Sequence, residues 1–147
     1  PAELFNDKVL HLIWQLKTEK NHKLQQSAET KAKIAELNDK IERATRVKIK
    51  LIELKKNMKE HKTDAYKIFK EYTYWKGENN SKWENKSENE LIIGSMSNCI
   101  KNIDENIDRL IDKITEMQNE VNSLGSILSI LDNAINSIAS AIEKLTN

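Results

Sequence analysis

The sequence predicts an all-α protein folded as a long antiparallel helical hairpin, coiled-coil-like, with the bend near Trp75-Gly77. Apolar residues recur at alternating steps of three and four along most of the chain, which is the spacing of one helix face packed against another. Residues that interrupt helices are scarce, with three Gly and one Pro among 147 residues. The residues that favour turns collect at the midpoint, so the two arms match in length.

The second arm carries the most regular pattern. Its apolar residues step by four and three without error over seven heptads. Such a row predicts a helix that packs along a partner helix for its whole length. The residues of this row are Met96, Ile100, Ile103, Ile107, Leu110, Ile114, Met117, Val121, Leu124, Leu128, Leu131, Ile135, Ile138, Ile142 and Leu145.

The first arm is less regular. It opens with the apolar residues Leu4, Val9, Leu12, Ile13 and Leu16. Residues 17–31 are rich in Lys, Gln, His and Thr, which fits either a helix with a solvated surface or a local fray. The apolar row then returns, with one extra step of three, and the basic run over 43–62 is expected to lie mostly off it. The row comprises Ile34, Leu37, Ile41, Ala44, Val47, Leu51, Leu54, Met58, His61, Ala65, Ile68 and Tyr72.

The bend is predicted from a glycine followed by turn-forming residues, Gly77 and then Asn79, Asn80 and Ser81. We therefore expect one domain over 1–147, with arm one at about 2–74, the bend at 75–81 and arm two at about 82–146. Residues 1–74 hold 17 Lys/Arg and 11 Asp/Glu, whereas residues 75–147 hold 7 and 12. The opposite signs favour an antiparallel pairing of the arms, although exposed ion pairs are individually weak.

The last 25 residues predict a partner-binding face. The apolar row widens there and small residues surround the large ones, so this segment offers more apolar face than one partner helix covers. We expect further helices, from another chain or a second copy, to dock at this open end of the hairpin; the alternative is that residues 1–25 fold back over it. The predicted interface residues are Trp14, Leu124, Ile127, Leu128, Leu131, Ile135, Ile138 and Ile142.

Catalytic constellations are not apparent in the sequence, and we expect a non-enzyme with no cofactor and no metal. The three histidines and Cys99 are not at metal-ligand spacing. No Gly-rich phosphate loop occurs. The basic run over 43–62 has no interleaved aromatic residues and is interrupted by acids, so nucleic acid is not an expected partner.

The chain opens with charged residues and holds no run of about 18 apolar residues, so we expect no classical signal peptide and no stable membrane span. The expected location is the cytoplasm, before any export by a route that reads folded structure.

Trp75-Lys76-Gly77, at the predicted bend of a two-helix chain, resembles the Trp-x-Gly (WxG, ESX-type) hairpin superfamily of bacterial type VII secretion. The chain is most similar to the small accessory proteins, targeting or chaperone partners, of LXG-type toxins of Gram-positive bacteria. Those proteins often carry an aromatic residue a few positions on, as Trp83 is here. Asn80 departs from the family pattern, and no Tyr follows Tyr74, so the C-terminal Tyr-x-x-x-Asp/Glu export signal is absent.

The resemblance implies that Trp75, Gly77 and Trp83 form a bend and secretion motif. It also implies a non-enzymatic partner protein that binds the helical N-terminal region of a type VII-secreted LXG toxin and helps target it for export, with the complex supplying the secretion signal. Secretion of the chain together with the toxin is left open. Another small helical accessory protein is a further candidate partner. Two alternatives remain open from the residues: a structural homo-oligomeric coiled-coil scaffold, and a helical membrane-active toxin component.

Overall fold

The computed structural model describes residues 2–75 and 81–147, with side chains for residues 2–71 and 88–147. It contains two helices, α1 (Ala2–Trp75) and α2 (Ser81–Thr146), and no strand within those ranges. The prediction of an all-α helical hairpin is confirmed. Most of the predicted bend, residues 76–80 with Gly77, lies outside the described residues.

The chain divides into two compact units, each built from both helices. One, called the terminal unit here, comprises Pro1–Ile41 and Glu116–Asn147. The other, called the central unit, comprises Glu42–Thr115. In the terminal unit, Ser27 contacts Asp132 and Lys33 contacts Glu120. The α2 partner number falls as the α1 number rises, so the helices run antiparallel.

The seam of α2, meaning the row of residues that faces α1, follows the predicted heptads. Every residue of the row from Met96 to Leu145 is buried or half-buried, whereas most of the residues between them are exposed. The most buried members are Ile103, Ile107, Ile114, Met117, Ile135 and Ile138. Burial of these side chains is the main driving force that holds each unit together, since each buried aliphatic side chain contributes about 1.5–3 kcal/mol.

Helix α1 is continuous through residues 17–31, which decides between the two interpretations of that segment. The seam positions there are polar: Lys20, Lys23 and Thr30 are half-buried, and Ser27 is buried. Lysine stems can lie along an apolar neighbour while the ammonium stays in water, so such residues are compatible with a helix interface.

The predicted seam of α1 is confirmed over 47–68 at Leu51, Met58 and Ala65 and is wrong at every other member. The observed row keeps strict heptad spacing, without the extra step, and runs through Lys48, Leu51, Lys55, Met58, Lys62, Ala65 and Phe69. Val47, Leu54, His61 and Ile68 are exposed instead. Of the eight Lys and Arg residues in the basic run over 43–62, five are exposed, so the run lies mostly off the seam, as expected. The other three, Lys48, Lys55 and Lys62, lie on the seam. Lysine stems replace apolar side chains there, which is why hydrophobicity alone pointed to the neighbouring positions.

Candidate interaction surface

The register of the terminal unit is marked by a polar pair. Ser27 is only 4% exposed, and its hydroxyl donates a hydrogen bond of 3.4 Å to the Asp132 carboxylate. A buried hydroxyl costs free energy unless it has a hydrogen-bond partner. Slipping α1 along α2 would leave the Ser27 hydroxyl without this acceptor, so the pair favours one alignment of the two helices.

This alignment leaves the beginning of α1 without an α2 segment beside it. Helix α2 has 14 residues after Asp132, whereas α1 has 25 residues before Ser27. About the first eleven residues of α1 therefore extend past the last residue of α2. Leu4, Phe5 and Leu10 lie in this overhang and are exposed.

Trp14 stands at the base of the overhang and is 63% exposed. Its indole stacks on the imidazole of His11, with ring centroids 6.1 Å apart and an interplanar angle of 16°. A stacked neighbour one helical turn away limits the rotamers that an exposed indole samples. Trp14 thus offers an exposed apolar surface, and Trp is enriched among interface anchors.

The predicted interface residues of α2 fall into two groups. Ile127 is exposed, and Ile130, which the widened apolar row also includes, is 68% exposed. The other predicted residues belong to the seam that faces α1, and are half-buried or buried: Leu124, Leu128, Leu131, Ile135, Ile138 and Ile142. Among the predicted interface residues, only Trp14 and Ile127 are exposed, so these two can contact a partner without any change in the hairpin.

The apolar end of α2 is paired with the polar stretch of α1. Ser27 and Asp132 place the segment with Lys20, Lys23 and Thr30 alongside the end of α2. Leu124, Leu128, Leu131 and Ile142 are accordingly half-buried rather than buried. The terminal unit thus combines an apolar overhang on α1 with an incompletely covered apolar face on α2.

The described part of the central unit holds an ion pair between the helices and two shallow grooves. Lys55 forms an ion pair with Asp104, and both side chains keep contact with solvent. The shallow grooves beside this pair are lined mainly by lysine stems, Thr63 and Tyr66. Among the described residues, no group of His, Cys, Asp or Glu is positioned to hold a metal ion.

The sequence motif is only partly described. Trp75 is the last residue of α1 and Trp83 is the third residue of α2, and their side chains lie outside the described part, as does the whole of Gly77. The role of Trp75, Gly77 and Trp83 as a bend and secretion motif stays a prediction. No helix in the described part of the chain has a stretch long and apolar enough to cross a membrane.

The fold and these surfaces define a small all-helical hairpin protein with exposed apolar faces and no visible catalytic apparatus in the described residues. The YwqH-like family model matches residues 18–140. The chain belongs to the YwqH-like family, which is associated with type VII secretion and LXG proteins. No curated protein and no solved structure matches the chain.

Sequence reasoning missed the overhang and the Ser27–Asp132 pair. The overhang depends on the register of α1 against α2, and no short motif encodes that register. Ser27 does fall on the heptad row when the row is extended through residues 17–31 at steps of three and four. The heptad spacing alone therefore indicates that Ser27 faces α2. Hydrophobicity does not indicate it, because residues 17–31 are mostly polar.

Proposed function

We propose that this chain is a non-enzymatic partner protein that binds the helical N-terminal region of a type VII-secreted LXG toxin and helps target it for export. The observation that supports the proposal most strongly is the YwqH-like family match over residues 18–140, because that family is associated with LXG proteins. The surfaces of the terminal unit add a physical reason. An apolar overhang and a half-covered apolar face are what a helical partner needs for docking.

The proposed binding region is the terminal unit. A helix of the toxin covers Leu10 and Trp14 on α1 together with Ile127 and Ile130 on α2. Burial of exposed apolar side chains supplies the free energy of association, and the stacked indole of Trp14 serves as an anchor.

The proposal is tested by affinity purification of the tagged chain from its host, with the co-purifying proteins identified by mass. We expect a stoichiometric LXG-type protein. Trp14→Glu should weaken its recovery, by roughly 30-fold in affinity for a typical anchor residue. Gln15→Glu introduces the same side chain at the next exposed position and serves as the matched control. Recovery that is equal for both variants would contradict the binding region, and absence of any LXG-type protein would contradict the function.

Export is a separate step with a separate test. Trp75→Ala should leave folding and toxin binding intact and reduce secretion of the complex, if the Trp75-x-Gly77 motif is read by the secretion machinery. Helicity and co-purification are measured on the same variant. Normal secretion would remove the export role of the motif and leave the partner role standing.

A further inference from the structure

Two parallel rows can be followed among the exposed residues of α1 in the central unit. Val47, Leu54 and Ile68 are 46–61% exposed and, with His61, occur at every seventh residue, so they form one stripe along the helix. The internal seam lies on one side of this stripe, one residue on from each member. Three residues on from each member lies a second row, on the side away from the seam.

The second row is charged in a particular order. Its members, again at every seventh residue and all exposed, are Lys50, Asn57, Asp64 and Glu71, and the exposed Arg43 continues the row one heptad earlier. The row is basic before Asn57 and acidic after it. Lys50 and Asp64 form no ion pair with another residue in the described part of the chain.

This order is self-complementary in one orientation only. If a second copy lies antiparallel on the stripe, the basic half of each row faces the acidic half of the other, with Asn57 near the two-fold axis. In a parallel two-fold pairing the two copies of the row would lie on opposite sides of the stripe, so Lys50 and Asp64 would form no pair across the interface. The stripe has the same symmetry, since Val47 and Ile68 lie at its ends and Leu54 and His61 at its middle.

We infer that the central unit carries a homodimerisation surface, on which α1 of a second copy of this chain packs antiparallel along Val47, Leu54, His61 and Ile68. The interface is isologous, so each ion pair between Lys50 and Asp64 occurs twice. Charged residues beside an apolar stripe select the partner and its orientation in helical pairings. This surface is separate from the terminal unit and does not depend on the proposed function.

The test is sedimentation equilibrium of the purified full chain at increasing concentration. We expect a monomer–dimer equilibrium. Lys50→Glu alone and Asp64→Lys alone each place like charges across the two-fold axis and should weaken the dimer by roughly tenfold. An equimolar mixture of the two variants restores both opposite-charge pairs, and should dimerise close to the wild-type strength. Lys56→Glu makes the same charge change at an exposed position off both rows and should have no effect.

Leu54→Lys tests the apolar stripe itself. Leu54 is exposed, so circular dichroism should show an unchanged helix content while the dimer is lost. A chain that stays monomeric at every concentration would overturn the inference. A dimer that tolerates Lys50→Glu, Asp64→Lys and Leu54→Lys would overturn it as well, because self-association would then use another face.

Discussion

Replacing Leu131 and its neighbour Ile130 by lysine distinguishes the seam of the terminal unit from its outer face. Leu131 is half-buried on the side of α2 that faces α1, whereas Ile130 is 68% exposed. The two positions are adjacent in sequence and undergo the same charge change. A difference in stability between the two variants therefore reflects the difference in burial. We expect Leu131→Lys to destabilise the hairpin and Ile130→Lys to leave its stability unchanged.

The magnitude follows from the burial of each side chain. Full burial of a leucine is worth about 1.5–3 kcal/mol, and Leu131 is only half-buried. A lysine stem recovers part of that contact while its ammonium reaches water, as Lys20 and Lys23 do on the seam of α1. We therefore expect a loss of about 1–2 kcal/mol for Leu131→Lys. For Ile130→Lys we expect a change within about 0.5 kcal/mol, as for most surface substitutions.

Urea unfolding followed by circular dichroism at 222 nm measures both values, at a fixed protein concentration so that any self-association is constant. The variants should share the wild-type slope and differ in midpoint. Equal destabilisation by the two substitutions would refute the assignment of Leu131 to the seam and Ile130 to the outer face. Because Ile130→Lys keeps the fold, the same protein then tests toxin binding on the outer face of α2.

Two further predictions concern the central unit. Ile107→Ala should lower the free energy of unfolding by about 2–4 kcal/mol, because Ile107 is 6% exposed. Ile111→Ala, one turn later at a residue that is 43% exposed, should lower it by less than about 1 kcal/mol. Urea midpoints compare the two variants, and equal losses would contradict the assignment of Ile107 to the seam. Lys55→Leu should be neutral or stabilising by up to about 1 kcal/mol, because an apolar side chain suits the seam and Asp104 stays half-solvated without its partner. A large loss of thermal stability would show that the Lys55–Asp104 pair contributes more than a solvent-exposed pair usually does.

The two helices differ in how well the sequence predicts them, for a physical reason. In α2 every member of the row from Met96 to Leu145 is apolar, so the regular row that hydrophobicity indicates is also the row that faces α1. In α1 the seam contains Lys48, Lys55 and Lys62, while aliphatic residues occupy exposed positions beside them. If apolar residues are assumed to be buried, the exposed row with Val47, Leu54 and Ile68 is mistaken for part of the seam.

The sequence predicts which segments form the candidate site, but not which of their side chains are exposed. The apolar end of α2 and the exposed Trp14 are visible in the sequence. Which of these residues remain exposed depends on the register of α1 against α2, and therefore on contacts such as the hydrogen bond between Ser27 and Asp132. Residues a hundred positions apart set that register, so no local pattern contains it.

The misassigned row of α1 is itself informative about interactions. A helix that packs on one neighbour needs apolar residues only on the face towards that neighbour. A second apolar row that is exposed to water favours association with another molecule. Residues 47–68 supply enough aliphatic side chains for two rows, yet the chain places lysines on the row that faces α2 and leaves Val47, Leu54 and Ile68 outside. The seam still supports the intramolecular contact, because its lysines alternate with Leu51, Met58 and Ala65. On α2, Ile103 and Ile107 are buried on either side of Asp104, the partner of Lys55. The better apolar row is thereby kept for a contact with another chain, and the charge order from Lys50 to Asp64 makes a second copy in antiparallel orientation the chain that it fits.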